Sequence, residues 1–233
     1  MSNIQDFTIE NKVLTKYTGT DAVVTIPDSV TRIGDCAFAD CISVQQVTIP
    51  DSVTEIGYSA FVNCTSLEKI TIPDTVKYIR DHAFAYCTSL QQVALPNSLT
   101  EISYCAFAHC TSLKQITIPD SVLYISNHTF THCTSLKQII IPDSVTYIGH
   151  YTFVNCTSLQ QVTIPDSVMK IGHYTFAGCT SLQQVNVGSD RVKRLLTTCE
   201  GRIPENIIFV EGESSSQSNS ESSDHSTISA LNF

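Results

Sequence analysis

Apolar and polar residues alternate along this chain in a pattern that returns every 23 residues, without insertions, from about Val24 to Val187. One unit, residues 159–181, reads LQQVTIPDSVMKIGHYTFAGCTS. A fixed period of this length predicts stacked copies of one structural unit, which is a solenoid. Three positions keep one residue type through seven units: proline (Pro27, Pro50, Pro73, Pro96, Pro119, Pro142, Pro165), phenylalanine (Phe38, Phe61, Phe84, Phe107, Phe130, Phe153, Phe176) and cysteine (Cys41, Cys64, Cys87, Cys110, Cys133, Cys156, Cys179).

Within that unit the pattern changes from strand to turn at the proline. Val162–Ile164 alternates apolar, polar and apolar residues, which predicts a half-buried β-strand. Pro165 has no N–H to donate to a strand ladder, so the strand should end there. Asp166 and Ser167 favour a turn because their side chains bond nearby backbone amides. We expect the second half of the unit to be a short extended or helical-turn segment that points its Ile and Phe into the core.

The segments that flank the repeats have patterns of their own. Residues 7–17 alternate on both sides of Glu10-Asn11, which predicts a β-hairpin within an N-terminal cap, residues 1–21, that covers the open end of the stack. The repeats then occupy residues 22–188. Ser189 is predicted as the N-cap of a helix over 190–199, with an apolar face formed by Val192, Leu195, Leu196 and Cys199.

A strand is predicted over residues 207–210, and together with the helix it forms a C-terminal cap over 189–211. Residues 212–233 are rich in serine and acidic residues and show no apolar pattern, so we expect a disordered tail.

The repeat follows the pattern L-x-x-[VI]-x-I-P-x-x-V-x-x-I-x-x-x-[AT]-F-x-x-C-x-x. It resembles the BspA-like, Treponema-type leucine-rich repeat, and Val13–Thr20 resembles the cap that precedes such repeats. The resemblance implies a leucine-rich-repeat solenoid, a right-handed horseshoe with a parallel β-sheet on the concave side and short irregular or β segments on the convex side. It also implies surface binding or adhesion, in mucosal bacteria and anaerobic protists.

Charge and composition exclude some partners. The formal net charge of -9 and the pI near 5.1 argue against nucleic acid, which requires a basic face, and against anionic lipid. The N-terminus lacks the basic and apolar regions of a secretion signal, and no run of about 18 apolar residues predicts a membrane span. The sequence alone therefore predicts a cytoplasmic chain without membrane insertion, whereas the resemblance implies the cell surface.

The cysteines present two interpretations. In a short secreted domain they would indicate a disulfide framework. Seven of them here share one column, where each meets identical neighbours about 5 Å away, so pairing would be arbitrary and would leave one over. We therefore predict a ladder of small buried thiols. Cys36, Cys105 and Cys199 lie off the column and are expected to be more exposed.

The strands of the concave sheet should expose two polar columns. Stacked amides and hydroxyls about 5 Å apart could form a surface for a protein or glycan ligand, or a solvated face on which glutamines bond to one another. Ala94 and Ile140 interrupt the second column and are the first places to expect a contact. The candidate binding residues are Gln46, Lys69, Gln92, Gln115, Gln138 and Gln161, with Thr71, Ala94, Thr117, Ile140 and Thr163.

Two further sets of residues are candidate sites. One aspartate per repeat, from Asp28 to Asp166 with Asn97 substituting once, is predicted to cap its turn, with weak Ca²⁺ binding as the alternative. Histidines and tyrosines cluster at variable positions of the second half of the repeat. Their side chains should diverge on a convex surface, which disfavours a zinc site, and the tyrosines favour a partner surface instead.

No catalytic pattern is present. The chain has no glycine-rich phosphate loop and no nucleophile elbow, and the residues that could act as nucleophiles belong to repeated columns. The sequence therefore predicts a non-enzymatic protein-binding module with no cofactor and no metal, acting in surface recognition or adhesion. The alternatives are an intracellular scaffold that docks a partner protein and a regulatory subunit of an enzyme.

Overall fold

The fold is seen in a computed structural model, which describes residues 3–198, 200, 203 and 207–211. The predicted disordered tail and Cys199 lie outside the described residues. No helix in the described part of the chain is long and apolar enough to cross a membrane.

Each repeat contributes two short strands separated by the proline turn. The strands are β1 (Phe7–Glu10), β2 (Val13–Tyr17), β3 (Val23–Thr25), β4 (Arg32–Ile33), β5 (Gln46–Thr48), β6 (Glu55–Ile56), β7 (Lys69–Thr71), β8 (Tyr78–Ile79), β9 (Gln92–Ala94), β10 (Glu101–Ile102), β11 (Gln115–Thr117), β12 (Tyr124–Ile125), β13 (Gln138–Ile140), β14 (Tyr147–Ile148), β15 (Gln161–Ile164), β16 (Lys170–Ile171), β17 (Gln184–Val187) and β18 (Ile208–Glu211). A 3₁₀ turn at Ile4–Asp6 precedes them, and the helix α1 (Asp190–Thr198) lies between β17 and β18.

Equivalent strands of successive repeats pair in parallel, one repeat out of step, so that Gln46 lies beside Lys69 and Thr48 beside Thr71. The first strands of the repeats build one side of the solenoid, in the order β3-β5-β7-β9-β11 and then β13-β15-β17-β18. The second strands build another side, β2-β4-β6-β8 and then β10-β12-β14-β16. Ladder pairing is interrupted between β11 and β13 and between β8 and β10. The predicted parallel β-solenoid is confirmed.

The phenylalanine column forms the centre of the core. All seven rings are buried. Consecutive rings are nearly parallel, with centroids 4.7–5.8 Å apart and planes inclined by 6–13°, an offset-stacked arrangement. Backbone bonds hold the repeats at this spacing, as where Phe107 N–H donates to the Thr129 carbonyl at 3.0 Å. The Ile and Phe of each second half therefore point into the core, as predicted.

The cysteine column lies beside the phenylalanines. From Cys64 to Cys179 each buried thiol donates to the backbone carbonyl of the phenylalanine one repeat earlier, at 3.0–3.2 Å. The described cysteines are free thiols, as the ladder predicted, but Cys41 of the first repeat is half-buried rather than buried. Cys36 is exposed, but the expected exposure of Cys105 was wrong, because Cys105 is buried against Ala85 and Ala108.

The backbone itself closes each proline turn. The N–H of Val30 donates to the Pro27 carbonyl at 3.0 Å, and the same bond recurs in all seven repeats at 3.0–3.3 Å. The aspartates were expected to provide this closure. The bonds that their carboxylates accept run to the next repeat instead, as from Asp74 to the N–H of Asn97 at 2.8 Å. Asp74 and Asp166 therefore link successive units, and turn closure is left to the backbone.

An antiparallel hairpin, β1 and β2, precedes the first repeat. Its turn residues are Asn11 and Lys12, both with positive φ, one residue later than the sequence suggested. Tyr17 is buried, and its ring stacks on Phe38 with centroids 5.0 Å apart. The hairpin thus covers the apolar end of the phenylalanine column.

The helix α1 covers the other end of the core with Val192 and Leu196, which are buried, and with the partly buried Leu195. The Ser189 carbonyl accepts the N–H of Lys193 at 3.1 Å, as an N-cap residue does. Its hydroxyl, however, donates to the Asp166 carboxylate, so the predicted side-chain cap is replaced by a bond to the last repeat. The strand β18 begins one residue later than predicted and pairs in parallel with β17.

Candidate functional site

The outward side chains of the first strands form one continuous surface, which we call the Gln/Thr face. In β5, Gln46 and Thr48 are exposed while Val47 between them is buried, and the neighbouring strands repeat this order. Strands in a sheet lie about 4.8 Å apart, so residues of one column are neighbours along the stack. All the candidate binding residues lie on this face.

A groove of about 1110 Å³ opens on the Gln/Thr face over β11, β13, β15 and β17. It crosses the place where ladder pairing stops between β11 and β13. Ile140 lines the groove and is 58% exposed. A smaller depression of about 190 Å³ lies over β9 and β11. The sheet side is therefore concave over its C-terminal half.

The structure divides the predicted residues into three groups. Those that line the groove are Gln115, Thr117, Gln138, Ile140 and Thr163. Those that line the smaller depression are Gln92 and Ala94, together with Gln115 and Thr117. Those that lie on the same face outside both are Gln46, Lys69, Thr71 and Gln161.

The groove also contains charged residues that the two columns did not include. They stand just before and just after the strands: Lys114 and Lys137 on one edge, and Asp120, Asp143 and Asp166 on the other. A signal for the lysines was present in the sequence, because other repeats place glutamine or glutamate at that position. The aspartates are a repeated column, so nothing in the sequence marked these three.

The glutamines of the face do not form a ladder with one another. Within the described chain, no hydrogen bond joins the side chains of two residues of this column. The side-chain bonds on the face are at its C-terminal end, where Gln184 donates to Asn186 at 2.6 Å and Asn186 donates to Thr163 at 3.1 Å. The amides of Gln115 and Gln138 are therefore available to a ligand in the groove.

The repeat units match a known family. A model of the BspA-type leucine-rich repeat region fits six copies, over residues 7–137 and 100–199. The chain belongs to the BspA-type leucine-rich repeat family. No match to the chain was found among curated protein sequences.

Several solved structures of leucine-rich repeat proteins are similar to this BspA-type chain, and the first of them shares its fold. The leucine-rich repeat protein of T. pallidum is 29% identical, with a TM-score of 0.72, over 83% of this chain and 92% of that one. A leucine-rich repeat protein from Eubacterium ventriosum is 21% identical, with a TM-score of 0.50, over 76% of this chain and 66% of that one. A leucine-rich cell surface protein from Faecalibacterium prausnitzii is 23% identical, with a TM-score of 0.43, over 90% of this chain and 93% of that one.

Histidine and tyrosine rings of this BspA-type chain stack along the second half of the repeats. His109 lies between Tyr86 and His132, with centroids 4.4 and 4.5 Å away. We expected these side chains to diverge, and that expectation was wrong, because the repeat spacing holds equivalent rings side by side. Ring nitrogens also bond within the protein, as where His150 Nδ1 accepts the N–H of His173 at 2.9 Å.

Burial and a neighbouring histidine lower the pKa of two of these imidazoles. Burial is the larger cause for His109, followed by the charge of His132. Burial also lowers the pKa of His128, followed by the charge of His150. In the residues that the structure describes, no group of three or more His, Cys, Asp or Glu side chains could hold a metal ion.

Proposed function

We propose that this protein is a non-enzymatic binding module that recognises a protein or glycan ligand through the groove of the Gln/Thr face, in surface recognition or adhesion. The observation that carries the proposal is the groove itself, about 1110 Å³ in volume, with Ile140 exposed in it. Elsewhere its column holds Thr, Ala or Asn, so the groove coincides with a departure from the repeat.

The chemistry of the lining supports ligand binding. Pockets that bind ligands combine apolar contact area with a few polar groups that orient the ligand. Ile140 supplies apolar area, and Gln115, Gln138 and Thr117 supply amide and hydroxyl groups. The surface setting rests on the family resemblance of the repeat.

The chemistry of the cysteines supports a role without catalysis. A nucleophilic cysteine must be a thiolate near neutral pH. Burial raises the pKa of Cys110 to about 12 and raises the pKa of Cys133 well above its ordinary value. These thiols stay protonated and serve as hydrogen-bond donors in the core.

A paired substitution tests the groove. Ile140→Glu places a charge in the groove, whereas Thr71→Glu places the same charge in the same column outside it. We expect Ile140→Glu to abolish the binding of any ligand that the wild type selects from a glycan array or a displayed peptide library. Thr71→Glu should bind as the wild type does. Equal binding by all three proteins would show that the groove is not the site.

An intracellular scaffold is the second candidate, favoured by the free thiols of the described cysteines, since disulfides are typical of oxidising compartments. Labelling intact cells with a membrane-impermeant amine reagent separates the two. A surface protein should be labelled on the intact cell. Labelling only after lysis would favour the scaffold.

A further inference from the structure

The two edges of the groove carry opposite charges. Lys114 and Lys137 precede β11 and β13 on one edge, and Asp120, Asp143 and Asp166 follow the proline turns on the other. Ile140 lies between the edges. The groove is thus a strip of amides, hydroxyls and one exposed apolar side chain between a basic row and an acidic row.

Within the described part of the chain, no ion pair joins these lysines and aspartates to a side chain of opposite charge. The ion pairs there join Arg32, Asp35, Glu55 and Arg80, all far from the groove in sequence. The Asp166 carboxylate accepts the Ser189 hydroxyl, and the Arg191 guanidinium donates to the Asp166 carbonyl. Lys114 donates only to the side-chain oxygen of the neutral Gln91, at 3.3 Å.

Adjacent strands also place like charges side by side, since Lys137 N–H donates to the Lys114 carbonyl at 3.4 Å. Like charges directly opposite each other destabilise a sheet. A ligand that brings carboxylates to the lysines and cations to the aspartates would relieve both repulsions.

The basic row exists only at the groove. The equivalent positions elsewhere hold neutral or acidic residues: Gln45, Glu68, Gln91, Gln160 and Gln183. Ile140 departs from its column in the same repeat as Lys137. A purely structural role explains the regular members of these columns. It does not explain why Lys114, Lys137 and Ile140 depart from their columns in two adjacent repeats.

The spacing of the rows matches an α-helix. Both rows run along the stack, where strands are about 4.8 Å apart. A helix lying in the same direction presents rows of side chains one turn apart, about 5.4 Å, and is about 10–12 Å wide. Lys114 and Asp120 are six residues apart, which spans at most about 20 Å, so a helix with long charged side chains would reach both edges.

Other classes of ligand fit the edges less well. A nucleic acid or an acidic glycan would meet the lysines but would be repelled by three carboxylates. A neutral glycan would leave both rows without a partner. Polypeptides readily carry both signs of charge on opposite sides of an apolar stripe.

We propose that the groove binds an amphipathic α-helix of a partner protein. The helix lies along the stack, with an acidic row on Lys114 and Lys137, a basic row on Asp120 and Asp143, and an apolar stripe on Ile140. This rests on the proposed function, because it names the ligand of the same groove.

A phage-displayed library of alanine-rich helical peptides, randomised at three parallel rows, provides the probe. Selection on the wild type should enrich helices with acidic and basic rows on opposite flanks. Lys114→Glu/Lys137→Glu and Asp120→Lys/Asp143→Lys should each weaken a selected helix at least about tenfold. The matched controls Glu68→Lys and Asp51→Lys, in the same two columns outside the groove, should not. The protein with all four groove substitutions should select helices with the two rows exchanged.

Three outcomes decide whether the groove binds a charged amphipathic helix and whether it is the binding site at all. Charged rows that exchange with the protein's own charges would support the inference. Selected helices without charged rows, or glycan-array binding that Ile140→Glu abolishes while no helix is enriched, would overturn the inference and leave the proposed function standing. Binding of peptides and glycans that ignores Ile140→Glu, or no binding at all, would overturn both. Melting temperatures of the variants, all at exposed positions, verify that each protein is folded.

Discussion

The buried cysteines and threonines of this protein each have two roles, packing in the core and hydrogen bonding to the backbone. A thiol in the cysteine column fills a small space beside a phenylalanine and also donates to a carbonyl of the previous repeat, as Cys133 does to Phe107 at 3.2 Å. The buried threonines behave in the same way. Thr152 stands where earlier repeats have alanine, and its hydroxyl donates to the Gly149 carbonyl at 2.7 Å. Buried polar atoms in these columns therefore have partners, and such partners are what makes their burial tolerable.

His109 carries a prediction about pH. Burial and His132 lower its pKa below 6.5, so the proton binds the unfolded chain more readily. Above about pH 6.5 the ring is neutral in both the folded and the unfolded chain, so it contributes nothing to the pH dependence of stability. As the pH falls below that value, the unfolded chain takes up the proton first, and stability is lost until the pH has passed the lower pKa of the folded protein.

The variant His109→Asn removes this effect and keeps a residue that repeats use at the same position with positive φ, Asn63 and Asn155. Between about pH 7.5 and about pH 5, the urea concentration at the unfolding midpoint should fall less for the variant than for the wild type. An equal fall in the two proteins would show that His109 does not contribute to the pH dependence.

At the scale of the element, the phenylalanine segment is as well connected as the strands. Two residues in each repeat, one on either side of the phenylalanine, have left-handed backbone, with φ of 52–63° wherever the residue is not glycine. Between them the phenylalanine N–H bonds to the next repeat, as from Phe61 to the Ala83 carbonyl at 2.8 Å. The sequence predicted the strands from alternation, but these bends have no glycine signature, since only Gly178 among them is glycine.

Phe107→Ala in the middle of the stack should cost roughly 3–5 kcal/mol of unfolding free energy, because a buried ring is removed and the rings of Phe84 and Phe130 lose their contact. Phe107→Leu should cost less, since part of the volume is kept. Met169→Ala, at a position that is 72% exposed, should change stability by no more than about 0.5 kcal/mol. Urea denaturation measures all three, and a loss for Phe107→Ala no larger than that of Met169→Ala would contradict the role of the column.

At the scale of the molecule, each repeat bonds to the ones before and after it, so the stack should tolerate the loss of one unit. Deleting residues 47–69 removes one 23-residue period and joins Gln46 to Ile70 in register, well away from the groove. We expect a folded, shorter solenoid with a lower melting temperature and unchanged groove binding, because fewer repeats share the same end caps.

Deleting residues 47–68 is the matched control. It removes one residue fewer and shifts every following column by one position relative to the preceding repeat. Circular dichroism and small-angle scattering should show loss of cooperative unfolding for the control only. A stable fold in both deletions would mean that register between repeats is not what holds the solenoid together.

The groove shows where inference from the sequence stops. The columns of the Gln/Thr face were visible as columns, and Ile140 stood out because it departs from its own. The sequence predicted one uniform face from β5 to β15. In the structure a groove opens over β11 to β17, and Lys137 and Asp143 lie at its edges. That shape depends on how whole repeats tilt and pair, including the interruption after β11, and not on any residue within one repeat.

By itself the sequence determined the solenoid, its repeat length, its core columns and its free thiols. It could do so because a 23-residue unit with one apolar side can bury that side only against copies of itself, in register. Only the tertiary structure decided where the sheet becomes a groove, which charges face each other across it and how the histidine rings stack. Those features arise between repeats, from small differences in packing that near-identical sequence units do not reveal.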